Sequence, residues 1–210
     1  MGENAIATGL VDGVRGNLPF KKTYTEMHHT LRLYSGNRRF VLRLYMLFAG
    51  LTRVPLLGGL ARRLANAYGR SLHRAYLLTP EEALELVNVA NGVALGTCDC
   101  RRVFKNCDHP LNAEILLGPT RHLILHVIDK DSREITREEA AEVLRTNQRR
   151  GLIFTIIKCR GDFYAICSCC SCCCVPLRLS KKYGVGEALV RHKDIVKEYL
   201  DFQTNYKDVN

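Results

Sequence analysis

The sequence is short of several features that would announce a function. It has no low-complexity tract and no internal repeat, which leaves one large folded domain or two small ones in 210 residues. It has no glycine loop to cradle phosphate and no dinucleotide fingerprint. His122 and His126 stand four apart, but no H-E-x-x-H motif surrounds them, and no catalytic triad can be assembled. These absences lower the expectation of an enzyme. The first residues carry Glu3 and Asp12 and no continuous apolar segment, so a secretory signal is not expected. Ile6 stands where an N-myristoylation site takes Ser or Thr. The apolar stretch Leu44–Ala61 is interrupted by Gly50, Arg53 and Pro55, and is too short for a transmembrane span.

Acidic residues are also scarce where basic ones gather. Residues 21–75 hold eleven Lys or Arg and one acid, Glu26, which accounts for the net charge of +10. Such a region attracts an acidic protein, anionic lipid or nucleic acid, or else forms a solvated helix face. Hydrophobic content of 47% and charged content of 25% are those of a folded soluble chain.

Residues 1–37 show little periodicity. Leu57, Leu60, Ala61, Leu64, Ala65 and Tyr68 keep the 3.6 period, predicting a basic amphipathic helix over Leu56–Tyr76. Residues 38–75 then lie either on a membrane interface or over the rest of the protein as a buried helix pair. Thr79-Pro80-Glu81-Glu82 and Thr136-Arg137-Glu138-Glu139 are capping boxes that open helices to about Val89 or Ala90 and to Gln148. Residues 119–129 fit a helix or a strand. Leu152–Lys158 and Phe163–Ile166 read as a hairpin around Arg160-Gly161-Asp162, and Gly186–Phe202 as a surface helix. The expected fold is α+β and mainly helical, with a short β-hairpin and a cysteine-rich metal-binding domain. Its expected divisions are a basic region over 1–76, the cysteine-rich domain over 77–180 and a helix and tail over 181–210.

The abundant residue is cysteine. Six of the ten fall in Cys167-Ser168-Cys169-Cys170-Ser171-Cys172-Cys173-Cys174, and three more form Cys98-x-Cys100-x6-Cys107. A disulfide framework spaces its cysteines apart, whereas dense thiols suit soft metal. With no secretion signal, a reducing compartment is expected, and with it metal-bound or redox-active thiols. Zinc takes four ligands and would leave several thiols over. Iron–sulfur clusters use more of them, and copper(I) is a further option. Cys159, His109 and Glu114 are additional candidate ligands. Arg101 and Arg102 beside the first group are placed to offset thiolate charge.

The order Cys98-Asp99-Cys100-Arg101, Cys107-Asp108-His109-Pro110, Arg133-Glu134-Ile135-Thr136-Arg137-Glu138-Glu139-Ala140, Gly151-Leu152-Ile153 and Cys167–Cys174 resembles a family of 4Fe-4S-binding, ferredoxin-like proteins of anaerobic prokaryotes. The likeness covers about residues 79–180. It implies one or two [4Fe-4S] clusters and electron transfer. Two departures stand out. Glu114 occupies about the place where the family tends to carry a fourth cysteine, and residues 175–210 hold no cysteine for an internal relay.

The expected function is therefore an electron-transfer protein or subunit that docks an acidic redox protein or a larger oxidoreductase complex. It is expected in the cytoplasm, with an anionic membrane face as a further docking surface. Two alternatives stay open. One is a metal-sensing winged-helix regulator using Arg145, Gln148, Arg149 and Arg150, although nucleic acid is the less expected partner. The other is a catalytic subunit with an open iron position at Glu114.

Overall fold

The structure, a computed structural model, describes residues 37, 39–118, 121, 124–125 and 131–207. It is α/β. Among the described residues a seven-stranded mixed sheet carries seven helices, which corrects the expectation of a mainly helical fold with a short hairpin. In chain order the elements are α1 (39–51), α2 (Gly58–Ser71), β1 (His73–Leu77), α3 (Pro80–Val89), β2 (Val93–Thr97), α4 (Asp99–Phe104), β3 (Asn112–Leu116), β4 (Arg133–Ile135), α5 (Arg137–Arg149), β5 (Ile153–Cys159), β6 (Asp162–Cys169), α6 (Val175–Tyr183), β7 (Leu189–Arg191) and α7 (Ile195–Lys207). The strands lie in the order β4-β2-β3-β6-β5-β1-β7, all antiparallel except β1 with β7.

Three of these strands did not show in the sequence pattern for one physical reason. β1, β2 and β3 are five residues each, and β2 and β3 are rich in Ala, Leu, Gly or Glu. Covered on both faces, they show little polar alternation to mark a strand. β1 also follows α2 directly, so the helical period runs on into it. Residues expected as one helix over 186–202 instead form a short 3-10 turn, β7 and the start of α7. Both capping boxes form as expected. Thr79 and Thr136 accept from the backbone N–H of Glu82 and Glu139, and the two glutamates accept from the capping residues' own N–H.

The hairpin forms, but not as a projecting wing. Arg160 and Gly161 make its two-residue turn, both at positive φ. β6 pairs on its outer edge with β3, and β5 with β1, so the hairpin is the centre of the sheet. Arg145 and Arg149 of α5 pair with Glu142. The winged-helix arrangement is therefore not built. Residues 1–36 and most of 119–130 lie outside the described residues, and with them His28, His29, His122 and His126.

One face of the sheet carries α3, α5 and α7. Leu86, Val87, Leu144, Ile156, Phe163, Ile166, Ile195 and Tyr199 form the main core there, with Phe163 meeting the rings of Tyr199 and Phe202 at 5.7 Å. α4, α6 and the inner side of α1 cover part of the opposite face. Leu42, Tyr45 and Met46 pack on Val103, Phe104, Val175 and Leu179. The inner side of α1 thus meets the expectation of a cover over the cysteine-rich part. α2 does not, because Leu57, Leu60 and Leu64 are all exposed.

A β-bulge decides what reaches that opposite face. Lys158 pairs with Phe163 and Ile157 with Ala165, so Tyr164 is an extra residue in β6. Side chains alternate along a strand. The insertion turns Phe163, Ile166 and Ser168 toward the helical layer and Ala165, Cys167 and Cys169 toward the other side.

Candidate metal centre

β6 ends at Cys169, and the chain turns at once. Cys174 N–H donates to Cys170 C=O at 3.1 Å, closing a tight turn over 170–174, and Cys174 becomes the N-cap of α6. The run of six cysteines is thereby divided. Cys167 and Cys169 lie on the strand and Cys174 at the helix start, all on one side. Cys170, Cys172 and Cys173 project from the turn on another.

The first cysteine segment divides in the same way. Cys98 and Cys100 were expected on a loop. Instead Cys98 caps α4, and Cys100 lies inside it. α4 ends at Lys105, whose left-handed backbone (φ 50°, ψ 38°) reverses the chain and sends Cys107 toward the turn of the run. The Cys107 sulfur lies 3.6 Å from that of Cys170 and 3.8 Å from that of Cys173. The sulfurs of Cys107, Cys170, Cys172 and Cys173 are all within 4.8 Å of one another, a group able to hold a metal. Asn106 fastens the two segments: its backbone N–H donates to the Cys173 sulfur at 3.3 Å, and its side-chain amide donates to Cys172 C=O at 3.0 Å.

Five of the other six cysteines form a second group. Cys167 and Glu114 are direct neighbours across β6 and β3, and the thiol donates to Glu114 Oε1 at 3.4 Å. Thr155 Oγ1 is 3.5 Å from the Cys169 sulfur. Thiol hydrogen bonds link Cys169 to Cys167 and Cys174, and the backbone N–H of Val175, in the first turn of α6, reaches Cys100. Cys98 lies within the field of Glu114 and Cys169.

Of the remaining candidates, Cys159 is at the far end of β5, paired with His73 and Asp162. Four residues separate it from Thr155, the partner of Cys167, so it stands about 13 Å along the sheet from the nearest cysteine of the second group. His109 is half-buried on the loop after Cys107 and belongs to neither group. Asn106 and Thr155 carried no signal in the sequence reading, although a period-two reading of β5 would have placed Thr155 beside the cysteines.

Arg101 joins the two groups. It is 1% exposed, so a guanidinium is buried outright. Nη1 donates to Pro110 C=O, on the loop after Cys107, and Nη2 to Ser168 C=O, between Cys167 and Cys169. Among the described residues no carboxylate is bonded to it. Burial works against the charged form of Arg101, and the nearby sulfurs of Cys98, Cys170 and Cys107 favour it and leave its pKa raised. Arg102, by contrast, pairs with Asp131 at the surface.

Each group favours one thiolate. Hydrogen bonds from Cys167 and then Cys174 hold Cys169 well below the usual thiol range against its burial. Burial pushes Cys170 up, but donors at Cys172, the Cys173 N–H, Cys107 and Arg101 outweigh it and bring it to about 7. Burial raises Cys98 to about 12 with help from Glu114, Cys172 to about 12 and Cys173 to about 11, and pushes Cys100 up as well. Cys167 and Cys174 are raised first by donating to Cys169 and then by burial.

Comparison of the chain with protein-family models, with curated proteins and with solved structures finds no match.

Two outcomes follow from this geometry. Metal must displace protons from thiols whose pKa values are raised, so affinity rises with pH. Chelator competition by the metal-free protein should give tighter zinc binding at pH 8 than at pH 6.5, and equal affinities would contradict the thiol assignment. Arg101→Met removes the donor to the buried Ser168 carbonyl and to the part-buried Pro110 carbonyl, a loss of about 2–4 kcal/mol. Urea denaturation should show it, together with faster metal release. Arg101→Lys keeps the charge but not the fork, so it should restore the loss only in part.

Proposed function

We propose that this chain binds iron through its cysteine thiolates and exchanges single electrons with a redox partner. The observation that carries the metal is the meeting of four sulfurs from segments more than sixty residues apart within 4.8 Å. A single ion with thiolates at ~2.3 Å in a tetrahedron sets its sulfurs ~3.8 Å apart. The spacings of 3.6 and 3.8 Å match that edge. A [4Fe-4S] cubane interposes iron and sulfide and spreads its ligands to about 6 Å. At this group, therefore, the spacing favours one tetrahedral ion over a cubane.

Three features favour iron in a redox role. Cys107 and Cys172 are half-exposed, which brings the centre to the surface where a partner can reach it. The Asn106 N–H on Cys173 and the buried guanidinium of Arg101 both lower the energy of the more negative, reduced state. The resemblance to 4Fe-4S-binding proteins points to the same chemistry. The residues that hold the ion are Cys107, Cys170, Cys172 and Cys173, and the electron passes between this ion and the partner without bond making. Zinc in the same tetrahedron is the second reading, favoured by the sulfur spacing alone, and would make the site structural.

Anaerobic purification followed by metal analysis and visible spectroscopy separates the two. The expected product is coloured, contains iron, and is bleached by dithionite, with the surface part of the absorption lost in a Cys107→Ser/Cys172→Ser variant. A colourless protein holding zinc and no iron would contradict the electron-transfer reading.

A further inference from the structure

We propose a second, buried metal centre: a polynuclear iron–sulfur cluster seated among Cys98, Cys100, Cys167, Cys169 and Cys174, with the Glu114 carboxylate as an oxygen ligand. It rests on the reading that the chain binds iron through thiolates. Six donor groups face one another between the sheet and the starts of α4 and α6. The chain of contacts runs from Glu114 to Cys167 at 3.4 Å and on through Cys169 to Cys174. Yet among the described residues only the surface group brings three or more ligand atoms mutually within 4.8 Å. Six donors are more than one tetrahedral ion takes, and a cluster offers several irons to share them once the side chains part around it.

The alternative is that five thiols simply pack as small hydrophobes. The surroundings argue against it. The first turn of α6 directs the Val175 N–H at Cys100 and the Leu177 N–H at Cys174, which favours anionic sulfur at a helix N-terminus. Arg101 adds a buried cation, and Glu114 a carboxylate among thiols. An apolar thiol core needs none of these. Thiolate and carboxylate charge around a cationic cluster needs the first two and uses the third as a ligand. An oxygen ligand on one iron sets this centre apart in potential from an all-thiolate cluster.

Iron and acid-labile sulfide are counted in the anaerobically purified full chain and in three variants, with circular dichroism to confirm folding. Wild type should contain sulfide. Cys107→Ser/Cys172→Ser should lose the surface iron and keep the sulfide. Cys100→Ser/Cys169→Ser should lose the sulfide and keep the surface iron. Glu114→Gln should keep the sulfide but shift the electron paramagnetic resonance g values of the reduced cluster. If the Cys100/Cys169 variant does not fold, Glu114→Gln and Glu114→Cys carry the test by their spectra. A wild type that binds iron only at the surface group, without sulfide, overturns the second centre and leaves the proposed function standing. Spectra of Glu114→Gln and Glu114→Cys identical to wild type overturn the carboxylate ligand.

An independent observation concerns α1 and α2. Eleven of the thirteen exposed large hydrophobics among the described residues fall between Phe40 and Leu72, a patch rather than a scatter. Leu56, at the tip between the two helices, is fully exposed and has a positive φ of 69°, a strained backbone for a leucine. Residues 37–72 contain seven arginines and no acid. A cleft beside Leu56 is lined by Arg53, Arg62 and Lys182. No helix among the described residues is long and apolar enough to cross a membrane. We infer that this helix pair seats on an anionic lipid surface, with Leu56 and Leu57 entering the interface and the cations meeting headgroup phosphates. Full-length protein should float with phosphatidylglycerol-containing vesicles, far less with phosphatidylcholine alone, and not as Leu56→Asp/Leu60→Asp. Failure to float with the anionic vesicles overturns the inference. So does a concentration-dependent dimer abolished by the same variant without any flotation, which would assign the face to a second copy.

Discussion

A single buried cation ties the two cysteine segments into one site. Arg101 reaches the Pro110 carbonyl on one side and the Ser168 carbonyl on the other, so the loop bearing Cys107 and the strand bearing Cys167 and Cys169 share one anchor. A guanidinium out of water is costly unless charge and hydrogen bonds compensate it. Two carbonyls supply hydrogen bonds but no net charge. Among the sulfurs near it, that of Cys170 is held down to about 7, and a thiolate there, the form a metal stabilises, would supply the charge. The structure thus couples three things: the burial of Arg101, the nearness of the two segments, and the lowered pKa values of Cys169 and Cys170.

The division of the cysteines follows from ordinary backbone geometry. Along β6 the side chains alternate, so Cys167 and Cys169 share a face while Ser168 turns away to Asn147 of α5. The extra residue Tyr164 sets which face that is. Without the bulge, the register that seats Phe163 in the aromatic core would place Cys167 and Cys169 under the helices. The turn over 170–174 then sends Cys170, Cys172 and Cys173 elsewhere. A run that reads as one motif in sequence is built as two half-sites, each completed by part of the Cys98–Cys107 segment.

Much of this was legible and some was not, for identifiable reasons. The capping boxes at Thr79 and Thr136 are local chemistry, and both formed as read. The hairpin was marked by β-branched runs, but its neighbours β1, β2 and β3 lacked alternation, and the sheet was missed with them. The cysteine density announced metal without its partition, because the partition depends on a bulge and a left-handed residue, Lys105, that no periodicity reveals. Glu114 was noticed as a departure from a cysteine pattern. Its register opposite Cys167 is what gives that departure chemical meaning. Arg101 and Arg102 read alike in sequence, and burial alone separates them.

The most direct measurement of the two-centre account is an anomalous-scattering map at the iron and zinc edges from crystals grown without oxygen. The account predicts two separate metal positions on either side of Arg101. One is a single ion at about 2.3 Å from the sulfurs of Cys107, Cys170, Cys172 and Cys173. The other is a multi-iron peak among Cys98, Cys100, Cys167, Cys169, Cys174 and Glu114. One position shared by both cysteine segments, or no metal at either, would contradict it.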